Sequence, residues 1–247
     1  MKLTIAGYGF VGKAHEALLR NHFELEVVDP KHNSNTISTD TSAVVVCVAT
    51  PERHDGACDM QHVFAVIESA PDVPILIKST ISIEGWRELT ERYPNKDITF
   101  SPEFLRAASA VEDLLKTKKI LLSNTGAYKF WQEVFAEEGI VGVMSNAPEL
   151  ILAKCFRNSF LATKVSFFNQ IYDLCQASGL NYDEVSRAVG ADDRIGMSHT
   201  GVSPERGFGG HCFPKDTNAI VKTAEDIGVD LSLIREAIAY NKRVRKQ

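Results

Sequence analysis

The stretch "MKLTIAGYGFVG", residues 1–12, decides the fold. Its first apolar residues predict a strand, and the turn that follows carries Gly7, Gly9 and Gly12 in the pattern G-x-G-x-x-G, at the start of a helix predicted over residues 10–20. Glycines at these positions allow a tight turn, a close approach of the main chain to a pyrophosphate, and close packing of helix on strand. Because a helix N-terminus also offers free N–H groups to phosphate, the stretch predicts a dinucleotide site.

The second predicted strand, residues 25–29, ends in a carboxylate, Asp29, about 20 residues after the glycine turn. A carboxylate in this place can bind both hydroxyls of a ribose and would repel the 2′-phosphate of NADP. The cofactor is therefore predicted to be NAD. The neighbouring Lys31 and His32 leave NADP open, and a purely structural glycine turn is the remaining alternative.

Short apolar runs alternate with amphipathic helices over residues 1–146, which predicts a Rossmann-type parallel-sheet NAD-binding domain. From Pro148 to Ser178 no glycine and no further proline occurs, so a helix roughly 45 Å long is predicted there. Residues 147–247 are predicted to form an all-helical central and dimerisation domain. The predicted strands are 2–6, 25–29, 43–49, 74–79, 98–100, 118–123 and 140–144, and the helices are 10–20, 60–70, 83–93, 127–138, 148–178, 182–190 with Gly190 as its C-terminal cap, 214–227 and 230–246.

Composition excludes several classes of protein. The net charge of −5 does not suggest a nucleic-acid-binding surface, and no apolar run approaches the roughly 20 residues that cross a bilayer. The chain enters a strand at once, so no signal peptide is expected. The five cysteines form neither a CxxC pair nor a Cys/His ligand set, so we expect no metal, no disulfide scaffold and a reducing cytoplasm.

The most distinctive cysteine lies in "GFGGHCFPKD", residues 207–216. Since proline favours the first turn of a helix, Pro214 predicts that Cys212 lies at a helix N-terminus, where the helix dipole lowers the pKa of a thiol. The three glycines are interpreted as giving a substrate close access to the sulfur. A surface turn is the simpler alternative, and the other four cysteines are predicted to be packing or loop residues.

This stretch resembles the catalytic-cysteine motif of the UDP-glucose/GDP-mannose dehydrogenase family. "SPEFLRAASAVEDL" (101–114) resembles the family's Asn-Pro-Glu-Phe-Leu-Arg segment, and the long helix "ELILAKCFRNSFLATKVSFFNQIYDLC" (149–175) resembles its central helix. "GYGFVG" and "KST" (78–80) fit its cofactor domain. The motifs follow the family's order from residue 1 to about residue 245.

The resemblance implies two successive NAD-dependent oxidations that convert the 6-hydroxymethyl group of a nucleotide sugar to a carboxylate, with a UDP-sugar such as UDP-glucose expected before a GDP-sugar. Cys212 would form a thiohemiacetal and then a thioester. Lys154 would supply positive charge to a developing alkoxide, and Asn158, one helical turn further, would add a hydrogen bond or order a water. Asp216 would hold water or tune the protonation of Lys154, and Glu103 would act as base in the hydrolysis.

The resemblance also implies that the protein forms a dimer, because members of this family dimerise through their central helices. A helix of about 30 residues exceeds what one small domain can cover, so some of its large apolar side chains are expected to pack against the chain's own later helices and the remainder to meet the same helix of a second copy in a homodimer. These side chains are Phe156, Phe160, Phe167, Phe168 and Ile171. The predicted cofactor-binding residues are Gly7, Gly9, Phe10, Val11, Gly12, Asp29, Thr50, Ser79, Thr80 and Lys215.

The sequence departs from the family's pattern in three places. Ala107 stands where the family has a second glutamate, and Glu52 where it has a threonine. The family continues with a C-terminal domain that binds the nucleotide sugar, so the expectation is a short form without it. Two alternatives stay open: a non-catalytic, NAD-binding, dimeric relative, and a dehydrogenase of a small hydroxy acid.

Overall fold

The computed structural model describes residues 1–32 and 36–246, and the chain forms two compact units. The division falls inside the long helix that the sequence predicts. The domain boundary between residues 146 and 147 stays a prediction. The first unit comprises Met1–Arg53 and Cys58–Lys154, and the second comprises His54–Ala57 and the chain from Cys155 onward.

A parallel sheet of five strands forms the centre of the first unit. Its middle strands are buried on both faces, as the fully covered Val44, Val45 and Val46 show. Such strands are continuously apolar instead of alternating, because helices cover both sides of the sheet. In their order across the sheet the strands are β2 (Glu24–Val28), β1 (Lys2–Ala6), β3 (Ala43–Val46), β4 (Ile75–Ile77) and β5 (Ile98–Phe100).

The strand order reverses beside β1, since the chain passes from β2 on one side to β3 on the other. In open parallel sheets ligands bind at such a switch point, outside the carboxyl ends of the strands. Gly7 directly follows β1 and Cys47 directly follows β3. The sheet therefore places the glycine turn where a dinucleotide would be expected.

A second, two-stranded parallel sheet adjoins β5 through hydroxyl groups. The Ser123 Oγ accepts a hydrogen bond of 2.8 Å from the Phe100 N–H, and the Thr99 Oγ1 donates one of 2.8 Å to the Thr125 carbonyl. Side chains thus replace part of the main-chain ladder at this junction. The two strands are β6 (Lys119–Ser123) and β7 (Val141–Ser145).

Helices cover both faces of the five-stranded sheet. Val63 and Trp86 pack in the core on one face, and Leu18 and Trp131 in the core on the other. These buried side chains recur at helical spacing, which is why the sequence pattern predicts the helices. The helices are α1 (Phe10–Leu19), α2 (Gln61–Ser69), α3 (Ile83–Arg92), α4 (Ala110–Leu115, after a 3-10 turn over Ala107–Ser109) and α5 (Tyr128–Ala136).

The second unit is helical. One buried cluster contains Ala162, Val165 and Phe208, and another contains Phe168 and Tyr182. None of the helices within residues 1–32 and 36–246 is both long and apolar enough to cross a membrane. The remaining helices are α6 (Ala147–Ser178, which begins in the first unit), α7 (Tyr182–Gly190), α8 (Cys212–Asp226) and α9 (Ser232–Val244).

The predicted fold class is confirmed, with differences in the bounds of several elements. β3 ends at Val46 instead of residue 49, α8 begins at Cys212, two residues before the predicted start, and α4 was not predicted. The assignment of Gly190 as a C-terminal cap is wrong, because Gly190 lies within α7 and Ala191 caps the helix with right-handed geometry. A Cβ at Gly190 would lie 2.4 Å from the Met197 sulfur, so close packing explains this glycine.

Candidate active site

The fold requires glycine at two positions of the glycine turn, Gly7 and Gly12, but not at Gly9. Gly7 has a φ of +94°, and a Cβ there would lie 2.7 Å from the main chain of Cys47. A Cβ at Gly12 would lie 2.1 Å from the Gly7 carbonyl oxygen. A Cβ at Gly9 would meet nothing within 4 Å, although this residue caps α1. The open space at Gly9 is what a phosphate group at the helix N-terminus would need.

Asp29 lies beside this turn at the end of β2. Its carboxylate accepts hydrogen bonds of 2.7 Å from the Tyr8 N–H and 2.8 Å from the Lys31 N–H. The Tyr8 N–H, followed by the Lys31 N–H, lowers the pKa of Asp29 below its usual value. Asp29 is therefore held as an anion next to the glycine turn.

The other predicted cofactor residues of the first unit line the same end of the sheet. The Thr50 Oγ1 donates a hydrogen bond of 2.7 Å to the Thr80 carbonyl, and the Ser79 Oγ donates one of 2.7 Å to the Val48 carbonyl. These bonds tie the loops after β3 and β4 together. Phe10 and Val11 begin α1 and are packed, half-buried, against the core on its side of the sheet.

Lys154 and Glu103 form a buried ion pair in the first unit. The Lys154 Nζ lies 2.8 Å from the Glu103 Oε1 and donates a second bond of 3.0 Å to the Glu103 carbonyl. Their side chains are 2% and 7% exposed. Two of the five predicted catalytic residues are thus in direct contact, although 51 positions separate them in the sequence.

Lys78 begins the "KST" stretch, and the sequence alone gives this residue no role of its own. It follows β4 and is 2% exposed, and its Nζ donates bonds of 2.9 Å to the Ser101 Oγ and 3.4 Å to the Pro102 carbonyl. Burial, opposed by the charge of Glu103 and assisted to a smaller extent by the charge of Lys154, lowers the pKa of Lys78 to about 8. The Lys78 side chain therefore binds the segment that leads into Glu103. Its importance is visible only from its burial in the structure.

Two further groups show how strongly this part of the first unit is shielded from water. Burial lowers the pKa of His15 to about 3, with the Lys78 charge acting in the same direction. Burial also raises the pKa of the Cys47 thiol to about 12, as expected for a cysteine that packs as a small apolar side chain. Charges here interact more strongly than on the surface.

We expect Lys78 to make the stability of the protein rise with pH in one window. Between about pH 8 and 10.5 the folded protein has lost a proton that the unfolded chain still binds, so the free energy of unfolding increases with pH. Urea unfolding at about pH 7 and about pH 10 should show the wild type gaining stability relative to Lys78→Met, which lacks the group. A constant difference between the two proteins would contradict the assignment.

Cys212 is the first residue of α8 in the second unit. It is half-buried, and all five cysteines of the chain are reduced thiols. The prediction that a helix starts near Pro214 is thus confirmed. The helix begins at Cys212 itself, two residues earlier than predicted. A thiol in this position is partly accessible and faces the positive end of a helix dipole, both of which favour a reactive thiolate.

Three predicted residues meet at the second turn of α8. Asp216 is fully buried, and its carboxylate accepts bonds of 2.6 Å from the Asn158 Nδ2 and 2.8 Å from the Lys215 Nζ. Asn158 belongs to α6, one turn after Lys154. The carboxylate is thus held by a neutral donor and a cation. The role of Lys215 in cofactor binding stays a prediction.

The two departures from the family pattern both lie on the surface. Ala107 begins the 3-10 turn before α4 and is exposed. Glu52 is also exposed and forms an isolated antiparallel bridge with Cys58. In the part of the chain that the structure describes, no group of three His, Cys, Asp or Glu side chains is arranged to hold a metal ion.

Two family profiles match the chain. Residues 33–137 match the NAD binding domain of the UDP-glucose/GDP-mannose dehydrogenase family, and residues 149–243 match the central domain of the same family. The chain belongs to the UDP-glucose/GDP-mannose dehydrogenase family. The match to its NAD binding domain confirms NAD as the cofactor. The glycine turn and Asp29 precede the matched residues, so their part in binding stays a prediction.

A relative within the family is the UDP-glucose 6-dehydrogenase of Rickettsia felis, which is 34% identical over 215 residues. The alignment covers 81% of this chain and 48% of the relative. The chain thus spans about half the length of the curated relatives it matches. The activity of those longer proteins therefore supports a proposal about this chain.

Solved structures confirm the family fold. The UDP-glucose dehydrogenase of the hyperthermophilic archaeon Pyrobaculum islandicum superposes with a TM-score of 0.84 at 26% identity, covering 98% of this chain and 68% of that one. The 3-hydroxyisobutyrate dehydrogenase of Mycobacterium tuberculosis superposes with a TM-score of 0.74 at 15% identity, covering 98% and 93%. The second likeness shows a shared fold and nothing about a shared substrate.

Proposed function

We propose that this chain oxidises the 6-hydroxymethyl group of a nucleotide sugar, a UDP-glucose-like molecule, to a carboxylate in two NAD-dependent steps. The observation that carries the proposal is Cys212 at the first residue of α8, with the buried Asp216 one turn further on. Oxidation of an alcohol to an aldehyde has no use for a nucleophilic thiol, whereas oxidation of an aldehyde to an acid can proceed through a thioester that water then hydrolyses. The name of the Rickettsia felis relative supports the same reaction.

The first unit fits NAD. The helix N-terminus and the open space at Gly9 would take the pyrophosphate, Asp29 would bind the ribose hydroxyls, and the loop of Ser79 and Thr80 would line the remainder. When bound, NAD supplies the hydride acceptor for both oxidations. The protein's task is to hold it in place and to exclude water from the buried region around Lys78.

The chemistry of the second step rests on Cys212. Its thiolate would add to the carbonyl carbon of the aldehyde and form a thiohemiacetal. Loss of a hydride and a proton gives a thioester, and water then releases the carboxylate and restores the thiol. Lys154 would stabilise the alkoxide that develops at the sugar oxygen, and its ammonium is already bound to Glu103.

Different polar side chains would orient the hydrolytic water and accept its proton. Asn158 and Asp216 form a bonded pair that would orient the hydrolytic water. Glu103 would take the proton of that water in the hydrolysis and return it through solvent. Ala107 and Glu52 replace a glutamate and a threonine that the family pattern places near these catalytic residues. We therefore expect thioester hydrolysis to be the step whose rate differs from that of the longer relatives.

Production of NADH from a panel of UDP- and GDP-sugars tests the proposal. UDP-glucose is expected to give NADH, with slower or no reaction from GDP-mannose. If no nucleotide sugar reacts while NAD still binds, the chain is the non-catalytic relative that the sequence left open. Reaction with small hydroxy acids alone would instead assign it to the other alternative.

Gly9→Ala should separate cofactor binding from folding. Because a Cβ at Gly9 meets nothing in the protein, the variant should fold with nearly unchanged stability but bind NAD about tenfold more weakly, or about 1.4 kcal/mol. Gly7→Ala is the matched control and should destabilise the fold by about 2–3 kcal/mol, since its φ is positive and its Cβ would clash. Calorimetric NAD titration and urea unfolding measure the two effects, and unchanged NAD affinity in Gly9→Ala would contradict the placement.

We further propose a homodimer through α6, in the reducing cytoplasm. Four large apolar side chains of the second unit share one face of this helix and are 41–68% exposed: Phe156, Phe160, Phe167 and Leu174. Phe168, which the sequence also offered for the interface, is buried against its own unit. A closed two-fold contact would cover the exposed face in both copies.

Light scattering at micromolar concentration should give twice the chain mass of 27.3 kDa. Phe160→Asp should reduce it to the mass of one chain, because a charge would be buried without a partner. Leu233→Asp, at a 72% exposed position of α9, should leave the mass unchanged. A wild-type mass near 27.3 kDa would exclude the dimer.

A further inference from the structure

The main chain just before Cys212 is held by the side-chain amide of Asn241, a residue near the end of α9. The Asn241 Oδ1 accepts a bond of 2.7 Å from the Phe208 N–H, and its Nδ2 donates one of 3.0 Å to the Phe208 carbonyl. Asn241 is 8% exposed and Phe208 is 4% exposed. One buried amide thus satisfies both main-chain groups of one loop residue, as a neighbouring strand would.

A second buried amide, Asn169 of α6, holds the adjacent residues. Its Oδ1 accepts bonds of 3.0 Å from the Gly207 N–H and 2.9 Å from the Arg206 Nε. Its Nδ2 donates 2.9 Å to the Val165 carbonyl, so the amide has a single allowed orientation. Asn169 is 1% exposed.

The conformation that these amides impose is unfavourable on its own. Arg206 has a φ of +62°, which is strained for a residue with a side chain. The strain is offset by a bond of 2.6 Å from its guanidinium to Asp173 and by a carbonyl that accepts 2.9 Å from the Arg245 Nη1. The loop is therefore held by contacts from both α6 and α9.

Gly207 is needed for this contact. A Cβ there would lie 2.1 Å from the Asn241 Oδ1, and its φ is +55°. The sequence interpretation, that the glycines admit a substrate, is replaced at this position by a structural reason. The glycine lets the amide of Asn241 reach the main chain.

The held loop leads directly to the thiol. The Phe208 ring packs edge-on against Phe213, with centroids 6.5 Å apart. Phe208 belongs to the buried cluster with Ala162 and Val165, and the partly buried Phe213 packs against that cluster. Phe213 follows Cys212 in the first turn of α8. The position of the thiol is therefore fixed on one side by the loop and on the other by the aromatic pair.

We propose that Asn169 and Asn241 are positioning residues that hold the main chain of Gly207 and Phe208, and through it the thiol of Cys212, in one arrangement. The inference rests on the proposed role of Cys212 as nucleophile. Buried amides with all their partners satisfied specify a unique geometry, which apolar side chains of the same size would not. Neither residue touches the reacting atoms in this account.

The pH dependence of Cys212 alkylation tests this inference without a substrate. Wild-type protein is treated with iodoacetamide at a series of pH values, and the modified peptide is quantified by mass spectrometry. In Asn241→Leu and Asn169→Leu the midpoint of the profile should rise by about one unit toward the value of a free thiol, with about tenfold slower labelling at neutral pH. A role confined to stability would leave the midpoint where it is.

Ser166→Ala is the matched control. The buried Ser166 hydroxyl, on α6, donates to the Ala162 carbonyl at 3.1 Å and lies 3.5 Å from the Ala237 carbonyl of α9. This variant should lose stability while the alkylation profile stays that of the wild type. If the leucine variants do not fold, Asn241→Ala and Asn169→Ala are used in the same way.

A wild-type profile in folded variants of both asparagines would overturn the inference. This outcome is distinct from failure of the proposed function. Undiminished NADH production by Cys212→Ser would contradict the catalytic role of the thiol, and the alkylation profiles would still report whether the amides position it.

Discussion

Cys212→Ser is expected to lower the rate of the second oxidation of UDP-glucose, which yields the carboxylate and the second NADH, by at least about 10³-fold. A serine hydroxyl of ordinary acidity is a far weaker nucleophile than a thiolate at neutral pH, and the ester that it would form is hydrolysed less readily than a thioester. Because the substitution leaves the first unit, with its glycine turn and Asp29, unchanged in sequence, NAD binding should remain unchanged. Steady-state NADH absorbance and calorimetric NAD titration measure the two quantities.

Cys175→Ala provides the control for loss of a thiol as such. Cys175 is 3% exposed and packs with Phe168 and Tyr182 in a separate cluster of the second unit. Its replacement should leave turnover within about twofold and cost only packing energy. Turnover by Cys212→Ser at the level of this control would remove the thiol from the mechanism.

Lys154→Met is expected to destabilise the protein by about 3–5 kcal/mol, the largest stability effect that we predict. The substitution leaves the Glu103 carboxylate buried without the cation that lies 2.8 Å from it. Combining it with Glu103→Gln should recover a substantial part of the loss, since the remaining side chain is neutral. Urea unfolding of the two single variants and the double variant measures the coupling.

An exposed pair gives the matched comparison. Lys116 and Glu112 on α4 form an ion pair whose side chains are 71% and 64% exposed. Lys116→Met should change the free energy of unfolding by less than about 0.5 kcal/mol. A loss in Lys154→Met as small as that in Lys116→Met would show that the buried pair does not hold Glu103 in place.

The fold could be predicted from local signals. The G-x-G-x-x-G turn after an apolar run fixes the first strand and helix, and the uninterrupted run to Ser178 fixes α6, because each pattern is contained within one element. Helix α4, with six residues, is too short for its periodicity to be recognised. The extent of β3 was overestimated because its apolar run continues beyond the ladder, where Cys47 still donates to the Ala6 carbonyl.

The site could be predicted only in part. Cys212, Asn158 and Asp216 belong to motifs whose residue types imply their chemistry. The burial of Lys78 and the hold of Asn241 on the loop could not be predicted, because they depend on contacts between residues 23 and 33 positions apart. Nothing in the local sequence distinguishes such residues from solvated polar side chains.

The number of NADH molecules formed for each nucleotide sugar consumed tests the central claim most directly. We expect two, with a sugar carboxylate as the product, because Cys212 is proposed to carry the aldehyde through a thioester. The measurement uses the whole chain with a limiting amount of UDP-glucose, excess NAD, and mass spectrometry of the product. One NADH for each sugar, with an aldehyde released, would contradict the account.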